Sequence, residues 1–417
     1  MWEIVYNILV HISLPLFVFF SIFKKKLRKN LNEKLLSSTK SHPVKDAIWI
    51  HAASIGEAAI AETLIKFMEQ QKKLNFPYLL TTNTYYTREL LLKKMGKNVH
   101  TFFLPVDVPY IIRHFIDGST FKALILVETE IWPNLIWTAK KYNIPVIILN
   151  GRISDKTFPN YKRFSFFLKH VLSEINTVIT QSEEHKNRFI AIGADPERII
   201  TTGNIKYYRE IPLSTLSIKE NILTFGSIKE KELDAVFYVI RKLKDDMPDI
   251  KIFVAPRELH LSSKIEDEMK KDYKTVRYST IKKEKDPQTL SDMEIIVVDT
   301  VGDLLDIYRK SKIAFVGGSL APYGGQNILE PLFFETPVLF GPYVENFKEI
   351  VDLILEKKAG IMIRDKEDLF FSIKHLLDNP SKALEIGKRG KEIIEMHKNY
   401  MEKTVDIIID VVKKKEG

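Results

Sequence analysis

The stretch that decides the fold is residues 47–69, AIWIHAASIGEAAIAETLIKFME. Apart from His51, its first seven residues are apolar, as in a buried strand. A short turn, Ser54–Glu57, separates this run from Ala58–Glu69, where apolar residues recur at the spacing of one helix face. A strand followed directly by a helix is the repeating unit of a parallel sheet, so the sequence predicts a βα unit here.

The same alternation of short apolar runs and longer amphipathic runs continues through both halves of the chain. In the first half, further strands are predicted at Tyr78–Thr82, Ala123–Val127, Val146–Asn150 and Thr177–Thr180. In the second half they are predicted at Ile222–Gly226, Lys251–Ala255, Glu294–Val298, Ile313–Gly317 and Pro337–Phe340. Helices are expected between them, including Glu230–Leu243, Val301–Arg309 and Asn327–Phe334. The expected architecture is α/β, with two Rossmann-like domains facing a cleft.

The domain boundaries follow from breaks in this alternation. The lysine-rich stretch Lys270–Pro287 is expected to be a solvated excursion on the surface. Neither half has a Gly-x-Gly-x-x-Gly turn after its first strand, which counts against a dinucleotide, and no cofactor is predicted. The expected segments are an anchor at 1–23, a basic segment at 24–45, a first domain at 46–206, a linker at 207–217, a second domain at 218–390 and a final helix at 391–417.

Composition excludes several classes of protein. The 417 residues include no cysteine, which excludes disulfide frameworks and thiolate metal sites. The net charge is +9, and seven of the basic residues lie within the first 40, against two acidic ones. Nucleic-acid binders usually spread basic residues over a folded face, so no nucleic-acid partner is expected. Charge placed directly behind an apolar run instead indicates an anionic membrane surface.

Residues 2–23 form that apolar run. As a helix they would extend about 33 Å, and a hydrocarbon core is about 30 Å thick. Lys24, Lys25 and Lys26 follow the run, whereas a cleavable signal peptide has its positive charges first. We therefore expect a single N-terminal anchor in the inner membrane, with the rest of the chain on the cytoplasmic side. The alternative is an interfacial or buried helix, since Glu3, Pro15 and other residues dilute the run.

Carboxylates follow two of the predicted strands in the first half. Glu57 lies in a loop with Gly56 at the start of a helix, where its ionised form is favoured and can accept a proton from an attacking hydroxyl. The alternative is that Glu57 only caps the helix. Glu128 and Glu130 follow the strand Ala123–Val127, and such pairs bind sugar hydroxyls, metals or basic partners. Alternatively, one of them pairs with Arg152 or Lys206 and orders the loop. Lys206 itself could meet a developing negative charge, although an isolated lysine is usually solvated.

The second half has the features of a nucleotide-binding domain. Polar or glycine-containing turns follow four of its predicted strands or helices, where backbone N–H groups can face a phosphate. A guanidinium at a strand end can grip an anion, and a glutamate there can accept from ribose hydroxyls. The residues are Gly226, Ser227, Pro256, Arg257, Gly318, Ser319, Asn327 and Glu330. The ten histidines show no ligand spacing, so no metal site is predicted. Asp299 and Asp303 are expected to cap the helix at 301.

Motifs in both halves resemble those of the 3-deoxy-D-manno-octulosonic acid (Kdo) transferases, in the same order and nearly from end to end. They are Ala53–Glu57, Leu104–Asp107, Glu128–Asn134, Gly203–Lys206, Pro256–Arg257, Val316–Ser319, Asn327–Pro331 and Gly341–Pro342. The resemblance implies a GT-B fold and an inverting, metal-independent glycosyltransferase. Such an enzyme moves Kdo from CMP-Kdo to a lipid A precursor in lipopolysaccharide synthesis.

The resemblance also implies roles for particular residues. Glu57 would be the general base, and Glu128 and Lys206 would stabilise the transition state. Donor contacts would come from Pro256 and Arg257, from Val301, Gly302 and Asp303, and from Asn327, Ile328, Leu329 and Glu330. Ser54, Gly56, Glu130 and Asn134 would contact the acceptor or order the loops. The first domain would thus bind the acceptor and the second the nucleotide.

Three positions depart from the family pattern. Glu258, Lys229 and Gln326 stand where the family usually has histidine, and Lys229 could supply a positive charge that is otherwise missing. Two alternative functions remain at this point. One is a sugar-nucleotide epimerase on the same fold, and the other is a non-catalytic ligand-binding protein with two α/β lobes.

Overall fold

The computed structural model describes residues 1–23, 31–35, 39, 43–70, 72, 75–210, 218–284 and 292–415. The chain divides into two compact units. Unit 1 consists of Met1–Glu210 together with His397–Gly417, and unit 2 is Ile211–Met396. Most of the predicted basic segment at 24–45, and residues 211–217 of the predicted linker, lie outside the described residues.

Unit 1 contains a seven-stranded sheet with the order β3-β2-β1-β4-β5-β6-β7, in which every neighbouring pair is parallel. The strands are β1 Ala47–His51, β2 Tyr78–Thr82, β3 Val99–Phe103, β4 Phe121–Val127, β5 Val146–Gly151, β6 Thr177–Thr180 and β7 Ile199–Thr201. The helices are Trp2–Phe23, Ile55–Gln70, Tyr85–Lys94, Pro109–Ile116, Pro133–Lys141, Phe158–Arg163, Ser165–Leu172 and Glu183–Ala191.

Unit 2 repeats this plan with the order β10-β11-β9-β8-β12-β13-β14, again all parallel. The strands are β8 Ile222–Ile228, β9 Lys251–Pro256, β10 Thr275–Arg277, β11 Ile295–Val297, β12 Ile313–Val316, β13 Val338–Phe340 and β14 Gly360–Met362. The α-helices are Leu233–Asp246, Leu261–Met269, Tyr278–Glu284, Leu304–Lys310, Leu329–Leu332, Lys348–Glu356, Lys366–Asp378 and Pro380–Lys414.

Both faces of the unit 1 sheet are covered, which explains the continuous apolar runs of its central strands. Along β1, Ile48 and Ile50 belong to one buried cluster, whereas Ala47 and Trp49 belong to the cluster on the opposite face. The long final helix Pro380–Lys414 begins in unit 2 and ends in unit 1, where its apolar stripe joins the first of these clusters. It begins at Pro380, before the predicted start at residue 391, and a proline suits a first helical position.

Strand order fixes where each unit has a crevice. In unit 1 the chain builds β1, β2 and β3 toward one edge and then returns to place β4 on the other side of β1. In unit 2, β8 lies between β9 and β12 in the same way. Loops leave such neighbouring strands in opposite directions, so the carboxyl ends of β1 and β4, and of β8 and β12, are the expected ligand sites.

The N-terminal helix Trp2–Phe23 packs on unit 1 through one side. The Trp2 ring centroid lies 5.2 Å from that of Phe166, and the Tyr6 hydroxyl donates to Asp107 Oδ2 at 2.8 Å. Large apolar side chains on its other sides are exposed, among them Ile4, Ile8, Ile12 and Leu16. No helix within the described parts of the chain is both long enough and apolar enough to cross a bilayer.

Some expected elements differ from the structure. The helix expected from Ala58 begins at Ile55, and the one expected from Val301 begins at Leu304. The expectation that residues 270–287 form only a surface excursion is wrong. This stretch contains β10, which pairs with β11, followed by the helix Tyr278–Glu284.

Candidate functional site

Glu57 lies in the first turn of the helix that follows β1, and not in the preceding loop as expected. Its Oε1 accepts a hydrogen bond from Ser54 Oγ at 2.7 Å, and its Oε2 accepts one from the backbone N–H of Ala53 at 2.8 Å. The Glu57 N–H donates in return to Ser54 Oγ at 3.3 Å. The capping contacts considered as an alternative are therefore present. Gly56 and Ser54 are exposed in the same turn.

The pKa of Glu57 is raised, which makes its carboxylate a stronger base. Its side chain is only 8% exposed, and burial raises the pKa of the carboxyl above its usual value. Hydrogen bonds from Ser54 and Ala53 act in the opposite direction, and the negative charge of Glu130 adds to the rise. A carboxylate with a raised pKa binds a proton more readily, as general-base catalysis requires.

The loop after β4 contains the other predicted carboxylates. Glu128 adopts a left-handed conformation, with φ 61°, and its N–H donates to Leu149 O at 2.7 Å. Glu130 Oε2 accepts from Trp132 Nε1 at 2.8 Å and lies 3.4 Å from His51 Nε2. Burial raises the pKa of Glu130, but the His51 imidazole and the Trp132 indole outweigh burial and leave that pKa below its usual value.

Asn134 is placed to order a loop and not to contact an acceptor, because it is fully buried. Its side-chain amide donates to the carbonyl of Asp107 at 2.8 Å. The Asp107 carboxylate accepts from the backbone N–H groups of Asn134 and Leu135, at 3.2 and 2.9 Å, and so caps the helix Pro133–Lys141. Burial raises the pKa of Asp107 to about 6.

Lys206 follows a hydrogen-bonded set of three amide side chains. Asn150 Nδ2 donates to Asn204 Oδ1 at 3.3 Å, and Asn204 Nδ2 donates to Gln181 Oε1 at 3.3 Å. The backbone N–H of Lys206 also donates to Asn204 Oδ1, at 3.0 Å. The preceding Gly203 has φ 111°, and an added Cβ would lie 2.3 Å from the Tyr400 ring. These contacts fix the backbone while the Lys206 side chain remains exposed, with Nζ 5.9 Å from the centre of the Tyr207 ring.

In unit 2, Gly226 and Ser227 lie inside β8 and do not follow it, contrary to expectation. The register shifts between Gly226 and Ile228, and Ser227 has φ 57°, which identifies a bulge near the carboxyl end of the strand. A Cβ at Gly226 would lie 1.8 Å from the Tyr308 hydroxyl, so only glycine fits there.

The backbone N–H groups of Gly318 and Ser319 are not free for a phosphate, because the Glu232 carboxylate already accepts them. The Gly318 N–H donates to Oε2 at 2.7 Å, and those of Ser319 and Leu320 donate to Oε1 at 3.0 and 2.8 Å. The backbone N–H of Lys229 also donates to Oε2, at 2.9 Å. Glu232 is 1% exposed. It thus joins the loops after β8 and β12. Sequence reasoning missed it because its partners in the second loop lie 86 to 88 positions away.

Arg257 remains available at the end of β9. Its N–H donates to Ile228 O at 2.9 Å, which fixes the backbone next to β8, and its side chain is exposed. Lys229 does not offer an isolated charge, since it forms an ion pair with Glu258 and lies 5.4 Å from the centre of the Tyr323 ring. Two of the positions that depart from the family pattern are therefore paired with each other.

The segment 301–303 forms an exposed turn after β11. Val301 is 86% exposed, and a Cβ added to Gly302 would meet no described atom within 4 Å. The hydrogen bond from Lys282 is the main reason that the pKa of Asp303 lies below its usual value. Asp299 does not cap the helix at 304 but accepts from the backbone N–H and the hydroxyl of Ser279, at 2.9 and 2.6 Å.

In the segment 327–330 the polar residues are half-buried and the apolar residues are buried. Asn327 Nδ2 donates to Glu330 Oε1 at 3.0 Å, and Asn327 Oδ1 accepts from the Leu329 N–H at 3.2 Å. Ile328 and Leu329 are 0% and 3% exposed, so their side chains belong to the core. Within the described ranges, no group of three or more His, Asp or Glu residues could hold a metal ion.

Comparisons with known proteins were made on sequence and on fold. Residues 28–209 match the sequence model of a family described as 3-Deoxy-D-manno-octulosonic-acid transferase (kdotransferase). The 3-deoxy-D-manno-octulosonic acid transferase of Haemophilus influenzae is 30% identical, over 98% of this chain and 98% of its own length. A bifunctional glycosyltransferase/methyltransferase of Fusobacterium nucleatum is 32% identical over 98% of this chain, which spans only 63% of that relative.

Solved structures give a likeness in fold. The UDP-GlcNAc 2-epimerase of Neisseria meningitidis, bound to UDP-GlcNAc, has a TM-score of 0.51, with 12% identity over 89% of this chain and 100% of its own. At that level of identity the likeness shows the fold alone, and it agrees with two parallel-sheet α/β units.

Proposed function

We propose a donor, an acceptor and a mechanism for this chain, which belongs to the Kdo transferase family and is therefore a glycosyltransferase. Family membership decides against the isomerase and against the non-catalytic binding protein. We infer that the donor is CMP-Kdo, that the acceptor is a lipid A precursor (lipid IVA), and that the reaction belongs to lipopolysaccharide core synthesis.

The reaction we propose is a direct displacement. Glu57 takes the proton from an acceptor hydroxyl as that oxygen bonds to the anomeric carbon of Kdo. The bond from this carbon to the phosphate oxygen of CMP breaks at the same time, and its electron pair leaves with CMP. Attack opposite the leaving group inverts the anomeric centre. The single observation that carries this proposal is the Glu57 carboxyl, which follows β1 at the crevice of unit 1 and has a pKa raised by burial.

The leaving phosphate needs positive charge or N–H donors. Arg257 is the exposed cation at the end of β9, and Asn327 and Glu330 are polar groups near β12 that suit a ribose. We propose that these residues bind the donor, while the N–H groups of Gly318 and Ser319 shape the loop through Glu232.

CMP is a monophosphate with less charge to stabilise than a diphosphate, so we propose that transfer needs no metal.

We also propose that the helix Trp2–Phe23 attaches the protein to the anionic cytoplasmic face of the inner membrane. Support comes from its exposed apolar side chains, such as Ile4, Ile8 and Ile12, combined with its packing on unit 1 through Trp2 and Tyr6. Flotation of the full-length protein with anionic and with neutral vesicles tests this. Equal recovery with both would contradict the role given to lipid charge.

The central experiment incubates the protein with CMP-Kdo and lipid IVA in EDTA and measures the lipid product by mass spectrometry. We expect a mass increase of one or more Kdo units and release of CMP. Glu57→Gln should abolish transfer while binding of CMP-Kdo stays nearly intact. The matched control is Glu62→Gln on the same helix, where Glu62 pairs with Lys66 and Lys94. A Glu57→Gln protein with a tenth of wild-type turnover would remove Glu57 from the role of base.

A further inference from the structure

His51 is a fully buried imidazole at the end of β1, and the proposed reaction gives it no role. Its Nδ1 lies 3.1 Å from the carbonyl oxygen of Thr81 and 3.2 Å from the Thr81 hydroxyl. A carbonyl oxygen only accepts hydrogen bonds, so Nδ1 carries a proton. In the neutral imidazole this leaves Nε2 as a bare lone pair, and Nε2 forms no hydrogen bond with any described residue.

A negative charge lies close to that lone pair. Glu130 Oε2 lies 3.4 Å from His51 Nε2, and the same oxygen accepts from Trp132 Nε1. Two lone pairs facing each other in a buried site repel, whereas a proton between them turns the contact into a charge-assisted hydrogen bond. The Thr81 hydroxyl, which also accepts from Trp49 Nε1 at 2.9 Å, holds the imidazole ring in place from the opposite side.

The titratable groups around this contact come from two helices. Glu57, on the helix after β1, interacts electrostatically with both His51 and Glu130. Tyr161, on the helix Phe158–Arg163, interacts with Glu130. Glu57 is therefore placed near a pair of opposite charges whenever His51 and Glu130 hold one proton between them.

We propose that His51 and Glu130 form a proton-sharing pair that adjusts the ionisation of Glu57. His51 is a positioning residue in this scheme, because it acts on the reaction only through the two carboxylates. The kinetic consequence rests on the proposed role of Glu57 as base, whereas the electrostatic coupling does not.

Two substitutions should shift the titration of Glu57 in opposite directions. His51→Asn removes the imidazole and leaves the charge of Glu130 uncompensated, so the pKa of Glu57 should rise. Glu130→Gln removes the carboxylate whose effect on Glu57 exceeds that of His51, so the pKa of Glu57 should fall. Tyr161→Phe changes no charge at neutral pH and serves as the control. A mere packing defect has no reason to produce shifts of opposite sign.

The experiment uses the full-length protein labelled with ¹³C at glutamate side-chain carboxyls. The Glu57 signal is identified by its loss in Glu57→Gln, and its titration is followed by NMR in each variant. Opposite shifts support the pair, whereas shifts in the same direction, or no shift in either variant, overturn it. If His51→Asn does not fold, His51→Gln replaces it. The ¹⁵N shift of wild-type Nε2 then gives an independent reading, since a bare nitrogen at neutral pH contradicts the pair.

Transfer kinetics separate the two proposals. If Glu57 is the base, the acid limb of the kcat/KM profile should move with its titration in both variants. If the NMR titrations move as expected and the acid limb does not, the pair stands and the catalytic role of Glu57 fails.

Discussion

Replacing Glu232 by glutamine should destabilise unit 2 strongly, although one oxygen is only exchanged for an amide. Each carboxylate oxygen accepts two backbone N–H groups, from Lys229 and Gly318 on one side and from Ser319 and Leu320 on the other. Glutamine keeps one acceptor oxygen, so two of the four hydrogen bonds are lost. Its NH₂ group then faces two N–H groups that have lost their acceptor.

The size of the effect follows from these contacts. A hydrogen bond to a charged group contributes about 1.5–3 kcal/mol, and a buried unsatisfied donor costs about 1–3 kcal/mol. Loss of the buried charge recovers part of this, because a carboxylate that is 1% exposed carries a desolvation cost. We therefore expect Glu232→Gln to lower the free energy of unfolding of unit 2 by about 3 kcal/mol.

The assay must report on unit 2 alone. All four tryptophans of the chain lie in unit 1, so tryptophan fluorescence does not serve. A suitable assay is hydrogen exchange, measured by mass spectrometry on the peptide covering 316–322. In Glu232→Gln the N–H groups of Gly318, Ser319 and Leu320 should exchange about 100-fold faster than in wild type. Glu230→Gln is the matched control, since Glu230 is exposed and pairs only with Lys264 at 3.2 Å among the described residues. If exchange in the two variants is equal, the carboxylate does not hold the loop.

Two further predictions concern unit 1, and the tryptophans report on both. Since burial raises the pKa of Asp107 from 3.8 to about 6, its contribution to stability is largest below pH 4 and is lost as the pH rises through 6. The stability advantage of wild type over Asp107→Asn, measured by urea unfolding, should thus shrink by about 2 kcal/mol between pH 4 and 7, and a constant difference would contradict the raised pKa. Gly203→Ala should cost about 3 kcal/mol, because it combines a positive φ with a clash against Tyr400. Gly302→Ala, which has positive φ but open space, should cost unit 2 only about 1 kcal/mol, measured by hydrogen exchange in that unit, and an equal loss would show that the Tyr400 contact is harmless.

The interior strands could be predicted from sequence, and the edge strands could not. All ten predicted strands exist in the structure, with ends that differ by at most two residues. The four that were missed, β3, β7, β10 and β14, are the outermost strands of the two sheets. They are only partly buried, so they lack the continuous apolar run that identifies a strand covered on both faces.

The candidate site, too, could be predicted from sequence only in part. Its polar residues could be located because carboxyl ends of parallel strands collect ligand sites, and this follows from the order of elements along the chain. Which N–H groups and charges remain available depends on contacts between distant segments. Neither the occupation of the Gly318 and Ser319 N–H groups by Glu232 nor the approach of His51 to Glu130 leaves a signal in local sequence.

Glu57 and Glu232 show how one position in the fold can serve two purposes. β1 and β8 are equivalent strands in the two sheets, and each is followed within six residues by a buried glutamate. A carboxylate offers about four acceptor sites. Glu232 has four N–H donors bound, so its acceptor sites are occupied and it acts as a structural link between two loops. The described contacts of Glu57 occupy two of these acceptor sites, through hydrogen bonds from Ala53 and Ser54, and burial raises the pKa of Glu57. The number of bound donors, and not burial alone, therefore decides which of the two glutamates keeps acceptor sites for a substrate hydroxyl.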